Sequence, residues 1–167
     1  MSVQGWTIET PVAPWSVVVD GDVVVASGLC ALDELVQRLP DGGRSVARGN
    51  ANGKVAAAAT AFLAGDVGVL DGVSVRQPGG AFQQQAWDAM RQIPAGQTWS
   101  YAELATKAGL PAAPRAAGPA GARNLVAPFV ACPPGVRSDG TLGGYAYGLP
   151  VKRWLLALEA GVVTGGR

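Results

Sequence analysis

The chain has 167 residues, 49% of them hydrophobic and 15% charged, which is enough for one good core or two small ones and excludes a disordered chain. It contains no histidine, which excludes imidazole acid–base catalysis, Ser-His-Asp and Cys-His nucleophiles, and zinc held through imidazole. The net charge of +1 is unevenly spread: residues 1–81 hold five Lys/Arg against eight Asp/Glu, a net −3, and residues 82–167 hold eight against four, a net +4, so the second half is the side suited to a polyanion.

The start, Met1-Ser2-Val3-Gln4, lacks the basic character of a signal peptide, and no apolar run reaches the ~18 residues that cross a bilayer. Cys30 and Cys132 are too widely separated to read as a disulfide framework or a metal quartet, so a reducing, cytoplasmic setting without a bound metal is expected. Trp15 to Val19, Asp20-Gly21-Asp22 and Val23 to Ala26 read as a β-hairpin, with β-branched runs on either side of an Asp-Gly turn. Leu32, Leu35, Val36 and Leu39 have helical spacing, and Pro40-Asp41-Gly42-Gly43 ends that helix. The Ala-rich run Val55 to Leu63 predicts a second helix ended by Gly65, and Val73 to Val75 a short strand. The first ~80 residues thus form a small α/β or α+β unit whose expected role is that of a scaffold.

Gly79-Gly80 reads as a linker. Phe82, Ala86, Trp87 and Met90 then mark the core face of a helix, with Pro94 beyond its end. Ser100 and Glu103 have the spacing of a capping box for a helix over Tyr101 to Ala108, which Gly109 ends. A small-residue stretch with arginines follows, Arg115 to Arg123, and two short helices joined by a tight glycine turn have the outline of a helix-turn-helix. Next comes an extended run through Phe129-Val130 to Cys132, which Pro128 demotes to an edge strand or an irregular segment. Pro133 and Pro134 stiffen the exit from Cys132, so its thiol reads equally as a presented nucleophile or as an inert buried group. Gly143-Gly144 allows close backbone approach, and a last helix is expected over Val151 to Leu158.

In register, Phe82-Gln83, Trp87, Ile93-Pro94, Gly96, Thr98, Ser100-Tyr101, Leu104-Ala105, Arg115-Ala116, Gly118, Asn124, Cys132, Gly140, Gly144-Tyr145, Gly148, Lys152, Leu155-Leu156 and Glu159 resemble the O6-alkylguanine-DNA alkyltransferases, the methylated-DNA–protein-cysteine methyltransferases. The resemblance runs from about residue 82 to 159 and implies an α+β protein. Its parts would be a ribonuclease-H-like domain over residues 1–78 and a mostly helical, winged-helix-like DNA-binding domain over residues 82–167. It implies a monomer, free of any cofactor or membrane, acting on double-stranded DNA that carries O6-alkylguanine. The resemblance implies that Cys132 would be the alkyl acceptor, Tyr101 the proton donor and phosphate contact, and Asn124 the hinge below the site. Glu159 would close a hydrogen-bond relay, and Arg115 would fill the gap left by the flipped base on a helix that Ala116, Ala117 and Gly118 let approach the groove. Gly143, Gly144, Tyr145 and Ala146 would line the base pocket.

Two stretches depart from that pattern. Where the family carries Pro-Cys-His-Arg, this chain has Ala131-Cys132-Pro133-Pro134, so the relay histidine and the basic residue after it are both replaced by proline. A cysteine of ordinary pKa, ~8.5, is about 3% thiolate at pH 7, and the expected transfer is correspondingly slow. Pro119 falls inside the expected recognition helix, where proline costs ~3 kcal/mol. The alternative expectations are a non-catalytic lesion-binding protein and an inactive paralogue.

Overall fold

The structure is a computed structural model that describes residues 3–39, 41–66, 68–78, 80–92, 103, 106, 107, 109, 125, 126, 129 and 149–159. Four strands form one sheet in the order β3-β2-β1-β4, from β1 (Val3–Ile8), β2 (Trp15–Asp20), β3 (Val23–Gly28) and β4 (Val46–Arg48). The hairpin expected from Asp20-Gly21-Asp22 is β2–β3, and Gly21 takes the positive φ, 63°, that its tight turn requires. β1 runs antiparallel to β2 and parallel to β4, two pairings absent from the sequence reading.

A register shift between Val18 and Val19 decides which residues of β3 face which layer. Val19 pairs with Val24 and Val18 with Ala26, leaving Val25 as the extra residue of a β-bulge. The bulge reverses the alternation. Val24 therefore lies on the same face as Trp15, Val17 and Val19, in the larger core cluster, while Ala26 joins Val18, Leu35 and Val36 in the smaller one. It also turns Ser27 toward Trp15, whose indole Nε1–H donates to Ser27 Oγ at 2.9 Å.

Helix α1 (Leu32–Val36) covers the smaller face. It stops short of Leu39, the last residue of the expected helical spacing, because its last turn tightens: Arg38 N and Leu39 N bond to carbonyls three residues back. Gly5 makes room for this layer, since a Cβ there would come within 2.9 Å of Val46 Cγ1 and 3.0 Å of Leu32 Cδ1. On the larger face lies α2 (Gly53–Leu63), which ends as expected before Gly65, at φ 111°. A 3-10 turn (Val69–Gly72) follows. The expected strand at Val73 to Val75 reduces to a single parallel bridge between Val24 and Val75.

Helix α3 (Ala81–Met90) begins at Gly80, whose N–H is accepted by Gln83 Oε1 at 3.2 Å. The fourth described helix, α4 (Leu149–Glu159), starts two residues before the expected range and carries Pro150 in its first turn, where proline is tolerated. Ala86, Trp87 and Met90 of α3, Val151, Leu155 and Leu158 of α4, and Val126 and Phe129 between them belong to the same buried cluster as Trp15 and Phe62. That shared core attaches the second half of the chain to the sheet. Among the described residues, no helix is long and apolar enough to cross a membrane.

Candidate functional site

Cys132, Tyr101, Asn124, Arg115, Ala116, Ala117, Gly118, Gly143, Gly144, Tyr145 and Ala146 lie outside the described residues, as do Pro119 and Pro133. Glu159 is the last residue of α4, directly after the fully buried Leu158, and its side chain lies outside them too. The described residues form the frame on which these positions are carried.

The clearest part of that frame is the segment leading toward Cys132. Leu125 donates its N–H to Gln77 Oε1 at 2.9 Å, and its carbonyl accepts from Ser27 N at 2.6 Å. Val126 forms a parallel bridge with Ser27 and is wholly buried, while Pro128 lies outside the described residues. Phe129 is also buried, with its ring centroid 5.7 Å from that of Trp15, which packs edge-on against Phe62 at 5.9 Å. Cys132 follows Phe129 by three residues in the sequence, so the chain sets out toward it from a firmly packed anchor.

A second anchor lies at the end of α3. Arg91 Nη2 donates to Leu70 O at 2.7 Å and to Val73 O at 2.9 Å. Burial pushes the guanidinium below its ordinary pKa, opposed by the charges of Asp71 and Asp88. The two carbonyls belong to the 3-10 turn and the residue just after it, so this bond pair ties the first half to the helix that leads toward the expected helix-turn-helix. Of that motif, Glu103, Thr106 and Lys107 are helical, with Glu103, Thr106 and Lys107 exposed. Gly109, at φ 85° with its N–H bonded to Thr106 O at 3.0 Å, ends the turn as expected.

Cys30 has a different environment from a reactive thiol. It is half-buried, and burial first, then the nearby Glu34 carboxylate, pushes its pKa up, which suppresses the thiolate. Among the described residues no group of three or more His, Cys, Asp or Glu is placed to hold a metal ion. The anchoring roles of Gln77, Arg91 and Ser27 were not visible in the sequence. Each depends on a partner far along the chain, and none has a local spacing signal.

Residues 81–161 match the family described as the 6-O-methylguanine DNA methyltransferase DNA-binding domain. The methylated-DNA–protein-cysteine methyltransferase of Salmonella typhimurium is 40% identical over 98 residues, covering 59% of this chain and 57% of that protein. The chain thus spans a little over half the length of the curated relatives it matches first. The bifunctional transcriptional activator/DNA repair enzyme Ada of Escherichia coli is 50% identical over 82 residues, covering 49% of this chain and 23% of Ada. The crystal structure of Mycobacterium tuberculosis OGT in complex with DNA superposes with a TM-score of 0.79 at 30% identity, covering 97% of this chain and 96% of that one. Fold and matches together define an α+β protein carrying a methyltransferase-type DNA-binding domain. The chain belongs to the O6-alkylguanine-DNA alkyltransferase family.

Proposed function

We propose that this protein is a DNA-repair alkyl acceptor that binds double-stranded DNA through the minor groove, flips O6-alkylguanine and takes the alkyl group onto Cys132. The observation that carries this reading is the family match over residues 81–161, which spans Cys132. The similarity of nearly the whole chain to a protein crystallised with DNA supports it. In this reading residues 1–78 are a ribonuclease-H-like scaffold domain, and residues 82–167 a winged-helix-like domain whose helix-turn-helix enters the groove. The protein works as a cytoplasmic monomer without a cofactor.

The chemistry follows from the residue types. A base inside a duplex is out of reach, so it is extruded at a cost of a few kcal/mol, and Arg115 occupies the vacated space. Ala116, Ala117 and Gly118 keep that helix thin enough to approach the groove walls. Gly143, Gly144, Tyr145 and Ala146 hold the extruded base. The Cys132 thiolate attacks the alkyl carbon, a sulfur–carbon bond forms as the carbon–O6 bond breaks, and the departing guanine anion takes a proton from the Tyr101 phenol, which regains one from water. Asn124 holds the turn beneath the site. With Pro133 in the relay position the thiol loses its proton to water, and Glu159 has no imidazole through which to act. The transfer is therefore slow at neutral pH and accelerates as pH rises toward ~8.5 and the thiolate fraction grows.

Incubation with O6-benzylguanine, or with duplex DNA containing O6-methylguanine, should place one benzyl or methyl mass on the Cys132 peptide. Pro133→His should raise the rate. No adduct at high concentration and long times would end the acceptor reading. The prolines at 119 and 133 favour a second reading, a non-catalytic lesion-binding protein or an inactive paralogue. Tighter binding to alkylated than to plain duplex at physiological salt, without an adduct, would select lesion binding; no preference at any salt would select the paralogue.

A further inference from the structure

The outer edge of β3 carries two chain segments end to end. Val24 N donates to Ser74 O and Arg76 N donates to Val24 O, both at 2.9 Å; two residues beyond the bulge, Ser27 N donates to Leu125 O at 2.6 Å. Gln77 stands where the first segment leaves the edge and the second arrives. Its Oε1 accepts the Leu125 N–H at 2.9 Å, and its own carbonyl accepts from Gln84 Nε2 of α3 at 2.8 Å. The extended run Val73, Val75, Gln77 alternates with the exposed Ser74 and Arg76, and Val73 and Val75 pack on the core. An apolar residue would therefore be expected at position 77. The glutamine there is only 7% exposed, and a buried amide is retained where its polar atoms have partners.

We propose that Gln77 is a positioning residue for the alkyl-transfer site. Its side chain stands in for the backbone that the β3 edge lacks at this point, and it holds Leu125 by the N–H while Ser27 holds the same residue by the carbonyl. Leu125 follows the hinge position Asn124 and precedes Cys132 by seven residues, so its placement sets where the stretch toward the acceptor begins. Through Gln84, Gln77 ties the start of that stretch to α3. The proposal rests on Cys132 being the acceptor, and its test separates the two.

In a Cys30→Ala background, Gln77→Leu removes the acceptor at similar volume, Gln77→Glu keeps an acceptor oxygen at the same reach, and Leu35→Val, in the smaller cluster on the other face of the sheet, serves as a destabilised control. Gln77→Leu should slow benzyl transfer to Cys132 by roughly ten- to a hundredfold, as small misplacements of reacting groups do. Gln77→Glu should recover much of that rate, and Leu35→Val should keep the rate of the parent. Equal rates in Gln77→Leu and the parent, or equal losses in Gln77→Leu and Leu35→Val, would overturn the proposal. Amide hydrogen exchange at Leu125 reads the anchor without any chemistry. If the parent forms no adduct, the acceptor reading fails by itself. Gln77 is then decided by the Leu125 amide, which should exchange at least about tenfold faster in Gln77→Leu than in Leu35→Val, and equal exchange would overturn it.

Discussion

Truncating Phe129 to alanine is the most direct probe of how the acceptor segment is anchored. The ring is 2% exposed, lies 5.7 Å from the Trp15 ring, and shares a core with Phe62, Met90 and Leu158. Removing most of a buried phenylalanine side chain forfeits about 3 kcal/mol of transfer free energy, and the cavity left beside the Trp15 ring brings the expected cost to about 3–5 kcal/mol. That is a large share of the roughly 5–15 kcal/mol by which domains are stable. In urea, with a slope near 2 kcal/mol per molar, the unfolding midpoint should fall by about 2 M while the slope stays constant. A double-mutant cycle with Trp15→Leu should return a coupling of about 0.5–1.5 kcal/mol for the aromatic pair. A midpoint shift below about 0.5 M would refute the claim that Phe129, three residues before Cys132, is part of the common core.

Two further outcomes follow from the same frame. Ser27→Ala leaves the buried Trp15 Nε1–H without its acceptor, which should cost about 1–3 kcal/mol in thermal or urea unfolding; adding Trp15→Phe, which removes the donor, should recover part of that loss. Asp41 accepts from Ser45 Oγ and from the N–H groups of Gly43 and Ser45, and these bonds, the Ser45 hydroxyl first, hold its carboxyl below its ordinary pKa. The folded-state pKa is thus depressed, so the contribution is present above about 3.9 and is lost as pH falls from there through the folded value; Asp41→Asn should flatten the acid limb of a stability–pH curve, and an unchanged limb would refute the assignment.

Local chemistry alone determined several elements of this protein. The β2–β3 hairpin follows from β-branched runs around Gly21, α2 from an Ala-rich run closed by Gly65, α3 from apolar residues at helical spacing, and the stop after the helical Thr106 and Lys107 from Gly109. The register of residues from Phe82 to Glu159 also carried the family, because many fixed residue types at fixed separations survive without any knowledge of contacts. What depended on partners distant in sequence stayed hidden. β1 contains Gly5 in place of a strand-forming residue, and β4 is only three residues long, so both exist through pairing with each other and with β2. The bulge at Val25 reverses the alternation of faces along β3; the apolar run Val23 to Ala26 carries no sign of it, and only packing on two faces of the sheet shows the reversal. Cys132 could be singled out from its spacing, but its anchors could not. Gln77 meets Leu125 across forty-eight residues, Arg91 reaches back to Leu70 and Val73, and Phe129 finds Trp15. Hydrogen bonds and close packing act over a few ångströms in space, and which side chains come within that range is decided by the folded chain.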